Sequence, residues 1–253
     1  GPNGPLPIHL TEYARSVVSI DRDEGLQGFL DIFQHRAALL FYRAWSSAQA
    51  TTSLDRPDDD SFGRHVGSLA GYGEAANDGH DTVPDHARRH MSGHLVRLTR
   101  NPEGLTSILR SYFGWPFRVE EWVMHWLALQ PEDRSVLGGY SDASRLGVGA
   151  VCGEAVPDRM HRFRIHAGPL DLPAYERLLP IGAWHGALRD WVRHYTGFEL
   201  AWDVRLILRA DQVPATRLGG NTRLGWTSWM MKDTRDQDAG DLILDCEGIA
   251  ARA

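Results

Sequence analysis

Two stretches, LTSILRSYFGWPFRVEEWVMHWLALQPEDRSVLGG (residues 105–139) and ALRDWVRHYTGFELAWDVRLILRADQVPATRLGG (residues 187–220), decide the fold, because the second restates the first. Each opens with an amphipathic helix ending in Tyr-x-Gly, at Tyr112/Gly114 and Tyr195/Gly197. Glycine closes a helix at low cost because it adopts the left-handed conformation without a Cβ clash. A strand follows in each. In the second, Phe198, Leu200, Trp202, Val204, Leu206 and Leu208 alternate and make one face apolar. In the first, Phe117 and Val119 hold phase, then the pattern shifts to Trp122, Met124 and Trp126, which predicts a bulge or burial of both faces. A proline ends each strand (Pro131, Pro214), Leu-Gly-Gly follows at 137–139 and 218–220, and Arg-Leu-Gly comes next at Arg145-Leu146-Gly147 and Arg223-Leu224-Gly225. Second strands are expected over 148–152 and 226–231, and third strands over 163–166 and 242–245. One shared glycine would mean little, but an ordered series reads as two copies of a helix-plus-three-strand unit. Short connections argue antiparallel pairing and an α+β architecture.

Upstream, residues 1–10 carry three prolines and read as an extended arm. Asp21 or Asp23 is placed to cap the helix that follows. That helix is expected over 25–47. Leu26, Leu30, Phe33, Ala37, Leu40 and Ala44 step by 4, 3, 4, 3 and 4, the spacing of a coiled-coil seam. Phe29, Ile32, Leu39, Phe41 and Trp45 add apolar surface outside it, and His35, Arg36 and Arg43 interrupt it. One stripe docks a helix on one neighbour; apolar surface on several sides needs several. The central helix of a single core satisfies that need, and so does a bundle with other subunits. The long apolar girth in a chain of modest hydrophobicity favours the bundle, with Leu26, Phe29, Leu30, Phe33, Leu40, Phe41 and Trp45 as the partner-binding residues. Residues 46–84 are polar, with an Asp58-Asp59-Asp60 run and a Gly71-Tyr72-Gly73 turn, and read as loops around a short helix near 63–69. A further helix is expected over 84–97. The chain thus divides into 1–100, 101–178 and 179–253.

Composition excludes more than it selects. Of 253 residues, 42% are hydrophobic and 24% charged, ordinary for a globular protein, and the net charge of −6 gives no drive toward nucleic acid or anionic membrane. No apolar run approaches the ~18 residues of a membrane span, and no N-terminal charged-then-apolar segment of this sequence reads as a signal peptide. Cys152 and Cys246 lack metal or redox spacing and read as reduced thiols of a cytosolic protein. Lys232 is the only lysine among 27 basic residues. Arginine suits planar interface contacts, and genomic base composition explains the bias equally well. The chain begins at Gly1-Pro2 without Met, as a protease scar or as native sequence, and reads as lacking its natural start.

The candidate chemistry is thin. His86, His90 and His94 fall at i, i+4 and i+8 of the expected helix and would line one face, the arrangement of a zinc site. Arg88 and Arg89 would repel a cation, so a solvated or interface-facing helix is the favoured reading and a metal-dependent enzyme the alternative. Gly147-x-Gly149-x-x-x-Gly153 lacks the preceding strand and following helix of a dinucleotide loop. Asp203, Asp211, Asp233, Asp236, Asp238 and Asp241 form no spaced acid–base pair, and 232–241 reads as a solvated hairpin loop. No nucleophile elbow or phosphate loop occurs. No catalytic, cofactor or metal residue is assigned. Trp122, Trp126, Trp184, Trp191, Trp202, Trp226 and Trp229 lie in or beside the repeats, some as core and some as partner anchors.

The motifs resemble a known family in order along nearly the whole chain. Gly-Pro-Asn-Gly-Pro-Leu-Pro-Ile-His-Leu-Thr-Glu-Tyr (1–13) is similar to the segment preceding the main helix of TssG proteins of type VI secretion, and Phe33-Gln34-His35-Arg36 with Phe41-Tyr42-Arg43-Ala44-Trp45 resembles that helix. Glu103-Gly104-Leu105, Tyr112-Phe113-Gly114, Val119-Glu120-Glu121, Gly168-Pro169-Leu170, Tyr175, Leu179-Pro180 and Leu224-Gly225-Trp226-Thr227-Ser228-Trp229 continue the match. The resemblance implies a structural subunit of a contractile-tail baseplate, without catalytic residues or cofactors. It implies wedges of two TssF copies with one TssG, TssK and TssE attached to them, the VgrG spike at the centre, and a cytoplasmic position at the inner face of the inner membrane without insertion. It also implies an N-terminal region of roughly a hundred residues preceding this chain. Loops 46–62, 71–84 and 232–241 are then candidate TssK docking sites. A tail component of a phage-like contractile particle is a further alternative.

Overall fold

The computed structural model describes residues 4, 6–56, 60–74, 79–216, 222–230 and 236–247. The chain forms two compact units, Gly1–His65 and Val66–Ala253.

The first unit is helical. Helix α1 (Ile8–Ser16) starts as soon as the prolines stop, with Pro7 at its N-cap position, so the expected arm is helical from Ile8 onward. A π-helical turn (Val17–Asp21) and Arg22 in the left-handed region, at φ 53, end it. Helix α2 (Gly25–Ser47) covers the expected residues. Neither candidate aspartate caps it: Glu24 stands at the N-cap position without a side-chain capping bond, and Asp23 Oδ1 accepts only from the Gly25 N–H, at 2.8 Å. A short α3 (Ala50–Leu54) follows. No residue of α1, α2 or α3 is buried.

Helix α4 (Ser61–Leu69) spans the boundary between the units. The helix expected over 84–97 is two pieces, α5 (Asp85–His90) and α6 (Ser92–Leu95), broken at Met91. Helix α7 (Pro102–Phe113) has every signal of a designed start and stop. Asn101 caps it by accepting from Gly104 N–H, proline sits in its first turn, and Gly114 closes it at φ 72. Strand β1 (Phe117–Glu120) follows, then β2 (His125–Ala128), β3 (Ala155–Asp158), β4 (Arg162–Leu170), helix α8 (Leu172–Leu178), helix α9 (His185–Thr196), β5 (Ala201–Leu208) and β6 (Ala239–Leu244).

The main sheet has the order β1-β4-β5-β6. At its two ends the strands pair antiparallel, β1 with β4 and β5 with β6. The two pairs join through β4 and β5, which run parallel. A parallel neighbour requires a crossover of a dozen or more residues; α8 and α9 supply it. Register sets the faces. Val119, Ile165, Val204 and Leu244 form one row across the sheet, and Phe117, Ala167, Leu206 and Leu242 the next. This apolar face joins α7, α8 and α9 in one core with Tyr175, Leu188 and Trp191, all fully buried. The opposite face is polar. Asp203, 1% exposed, accepts from Arg162 at 2.9 Å and Arg164 at 2.5 Å, and His166 meets Glu120 at 2.6 Å.

Three further expectations need correction. The first repeat's strand is not bulged but divided: Trp122 takes φ 61, and β2 leaves to pair with β3 in a separate two-stranded sheet. Residues 148–152 and 226–230 are turns and loop, with a single bridge from Trp229 to Ala215, because their apolar side chains find no sheet edge. The 232–241 segment is not all loop, since Ala239, Gly240 and Asp241 begin β6 beside Leu208. The helix α8 went unread. The second Leu-Gly-Gly, at 218–220, lies outside the described residues.

Candidate interaction surfaces

The polar clusters come first, because they are where chemistry would sit. Asp81 accepts from His194 at 2.6 Å and from buried Arg88 at 3.2 Å, while Arg88 also pairs with Asp85 and lies over the Tyr72 ring. Asp190 accepts from the Thr82 N–H at 3.0 Å and the Thr82 hydroxyl at 2.8 Å. Burial by itself raises the Asp190 pKa; the two Thr82 bonds and Arg189 outweigh it and hold the carboxyl below its ordinary value. Together these bonds tie the 79–91 segment to α9. On the sheet, the His166 hydrogen bond is the main cause that keeps Glu120 below the usual range, and the Asp203 bond raises Arg164. Each of these carboxylates is engaged by a cation or donor, and the bonds fasten one element to another.

The histidine row does not assemble. The break at Met91 separates His94 from His86 and His90, the last two are exposed, and Arg88 between them is buried in its ion pairs. Among the described residues no group of three or more His, Cys, Asp or Glu is placed to hold a metal. Gly147, Gly149 and Gly153 lie in an exposed loop. Cys246 is buried and burial pushes its thiol up, away from reactivity; Cys152 is exposed.

The surfaces that stand out are apolar. On α2, Leu26 and Leu30 are half-buried, while Phe29, Phe33, Leu40, Phe41 and Trp45 are exposed, from 52% at Trp45 to 79% at Phe41. Ile32, Leu39 and Tyr42 are exposed too. The aromatic side chains stack on each other along the helix, Phe29 edge-on to Phe33 at 5.2 Å and Tyr42 against Trp45 at 5.7 Å. The expected partner-binding residues therefore lie at the surface of this chain and not in its core.

A second feature repeats. In residues 145–148, Val148 N–H donates to Arg145 O at 3.2 Å; in 223–226, Trp226 N–H donates to Arg223 O at 3.1 Å. Gly147 and Gly225 each have φ 80, the positive value a type II turn needs at its third residue. Nothing lies within 4 Å of where a Cβ would stand, so backbone angle and not space demands glycine at both. The leucine at each turn's second position points into solvent, Leu146 at 95% and Leu224 at 96% exposure. Arg-Leu-Gly thus forms a turn at both places and not the opening of a strand, and the repeat of the motif is the sequence signal for a repeated turn. The tryptophans also separate. Trp191 and Trp202 are buried, Trp115, Trp184, Trp226 and Trp229 line the core's edge, and Trp122 and Trp126 are exposed. Among the described residues no helix is long and apolar enough to cross a membrane.

Solved structures share this fold. A chain of a structure titled as the type VI secretion system TssK-TssF-TssG baseplate subcomplex, determined by cryo-electron microscopy, is 22% identical at a TM-score of 0.67, over 83% of this chain and 88% of that one. A chain of a structure titled the baseplate complex from the type VI secretion system is 22% identical at a TM-score of 0.61, over 96% of this chain and 69% of that one. No curated protein sequence matches. The family model described as type VI secretion, TssG, matches residues 1–231. Because that match spans nearly the whole of this α+β chain, the chain belongs to the TssG family of type VI secretion proteins.

Proposed function

We propose that this chain is a structural wedge subunit of a type VI secretion baseplate, acting in the cytoplasm by holding other proteins in place and not by catalysis. The observation that carries the reading is α2, whose apolar residues look outward with none buried. Leaving a large apolar side chain in water forgoes about 1.5–3 kcal/mol relative to burying it. A helix carrying eight exposed large apolar or aromatic side chains (Phe29, Ile32, Phe33, Leu39, Leu40, Phe41, Tyr42, Trp45) is the half of an interface. Coiled-coil spacing in its seam suits helical partners, and TssF, in two copies, fits that role. Residues 1–100 would serve this bundle, while 101–178 and 179–253 would be the rigid helix-and-sheet repeats.

The Arg-Leu-Gly turns deepen the proposal. Two turns of the same geometry, each presenting an exposed leucine, suit two copies of one partner, and TssK is that partner. This moves the docking role from loops 46–62, 71–84 and 232–241 toward 129–154 and 222–230. TssE and the VgrG spike would join through the assembled wedge. Co-expression with TssF and TssK from the same gene cluster tests the whole reading. A stable complex lost on placing charge in α2 supports it, and a monodisperse monomer that ignores both sinks it. A gene neighbourhood of phage-type tail genes would instead favour a phage-like particle, and metal bound in stoichiometric amount would favour an enzyme.

A further inference from the structure

Helices α1, α2 and α3 hold no buried residue, and that bears on whether they form in the free chain. The substantial contacts within this stretch join only chain neighbours, α1 to the π-helical turn after it and α2 to α3. The second unit differs in kind. Its sheet and helices share a core in which Ile108, Leu188, Val204 and Leu206 are wholly buried.

Most of a helix's stability in a protein comes from packing, and an isolated helix shorter than ~12–15 residues barely forms in water. Helices α1 and α3 have 9 and 5 residues. Helix α2 has 23, so its composition decides. Gly25 and Gly28 weaken its first turn. Phe29, Ile32, Phe33, Phe41, Tyr42 and Trp45 are aromatic or β-branched and lose rotamer freedom against the preceding turn. No side chain caps its start, and no basic residue sits in its last turn to meet the free carbonyls. The ring pairs Phe29–Phe33 and Tyr42–Trp45 are local contacts of a kind that adds little to a lone helix.

We propose that residues 8–54 are largely unfolded in the free chain and become helical only when a partner covers α2. The helices seen here are the form the segment takes once covered. The coupling rests on reading α2 as one half of an interface; the unfolded free state rests on the lack of burial. Ordering and association then become one event. The second unit stays folded throughout, so the chain enters an assembly as a folded body with a segment that acquires its helices there.

The test compares the full chain alone with the chain mixed with TssF, by amide hydrogen exchange and limited trypsin digestion. In the free chain, amides of α2 should exchange within about tenfold of the unstructured rate, and those of β4 and β5 at least about a hundredfold more slowly. Trypsin should cut after Arg36 and Arg43, inside α2, well before it cuts after Arg110 in α7 or Arg193 in α9. With TssF, exchange across α2 should slow at least about tenfold and both early cuts should disappear. Slow exchange in the free chain that survives dilution would overturn the proposal, as would resistance of both bonds to trypsin. Slow exchange that is lost on dilution would support it, with second copies covering α2. Capture of TssF without any gain of protection would also overturn it. If TssF is not captured, the interface reading fails, while fast exchange and cleavage in the free chain still support the unfolded free state.

Discussion

Leu146 and Leu224 stand at the same position of two turns with one geometry. Each follows an arginine whose carbonyl closes the turn, each precedes a glycine at φ 80, and each is almost wholly exposed, at 95% and 96%. Among the described residues nothing covers either leucine, so its expected value lies in what it buries on assembly. Leu146→Asp and Leu224→Asp should each weaken capture of TssK while leaving thermal unfolding unchanged. Burying one leucine is worth about 1.5–3 kcal/mol, so each change should cost roughly 10- to 100-fold in affinity at its own turn. Under the proposed two-copy docking, native mass spectrometry should show one fewer TssK assembly for either single variant and none for the double variant.

Asp203 is the electrostatic pin of the sheet. It is buried on β5 and accepts from both Arg162 and Arg164 of the neighbouring β4. Asp203→Ala leaves two guanidiniums facing each other without a counter-charge. Loss of one partner from a buried pair costs about 3–5 kcal/mol, and the partial exposure of both arginines moves the expectation to the lower end, about 3 kcal/mol. Chemical denaturation of the variant measures it. A change below about 1 kcal/mol would show that the arginines find water instead.

His185 sets a pH limit on the second unit. Its Nδ1 meets the Leu178 carbonyl at 3.1 Å, and burial lowers its pKa despite that bond, with Arg189 adding to the decrease. The sign follows directly. The unfolded chain takes up a proton below the ordinary value of about 6.5, and the folded chain resists it, so the stability present above about pH 6.5 is lost as pH falls toward the folded value. Urea denaturation between pH 7.5 and about 5 should show this slope, and His185→Gln, which keeps a donor for Leu178, should flatten it. Asp190 acts in a separate window. Its carboxyl is held below the ordinary ~3.9, so its contribution persists above that value and is lost only at more acidic pH.

Trp122→Gly is expected to stabilise the chain. A non-glycine residue in the left-handed region costs on the order of 1–3 kcal/mol, and an exposed indole returns little of it through packing. Glycine's greater freedom in the unfolded chain offsets part of the gain, leaving about 1 kcal/mol. A loss of stability of similar size in thermal unfolding would mean that the indole's contacts outweigh the strain.

What the sequence made legible was whatever local pattern alone determines. The heptad spacing gave α2 to the residue at both ends, and strict alternation gave β5 from Trp202 to Leu208, while Phe198 and Leu200, which open that alternation, lie in the turn before the strand. The Tyr-x-Gly ends of α7 and α9 held because a glycine at positive φ is a local requirement, met at Gly114 and Gly197. The errors lie where tertiary context decides. No local signal tells a tryptophan to adopt φ 61, so the split between β1 and β2 was invisible. Residues 148–152 and 226–230 have strand-like composition, yet an apolar stretch becomes a strand only beside a free edge. Helix α8 was readable and missed. Asp171 caps it through Ala174 N–H and Pro173 sits in its first turn, and with it went the crossover that makes β4 and β5 parallel. On the interaction surfaces, sequence found α2 through its excess of apolar girth, while the Arg-Leu-Gly turns were seen as a repeat and assigned the wrong structure.

The central claim is that α2 is an unpartnered half of a helical bundle, and co-expression with TssF measures it most directly. Native mass spectrometry of the purified chain should show a complex with TssF, and Phe33→Asp with Phe41→Asp should abolish it, while circular dichroism retains the helix-and-sheet signal of the second unit. A wild-type chain that purifies as a stable monomer in the presence of TssF, or a double variant that still assembles, would contradict the account.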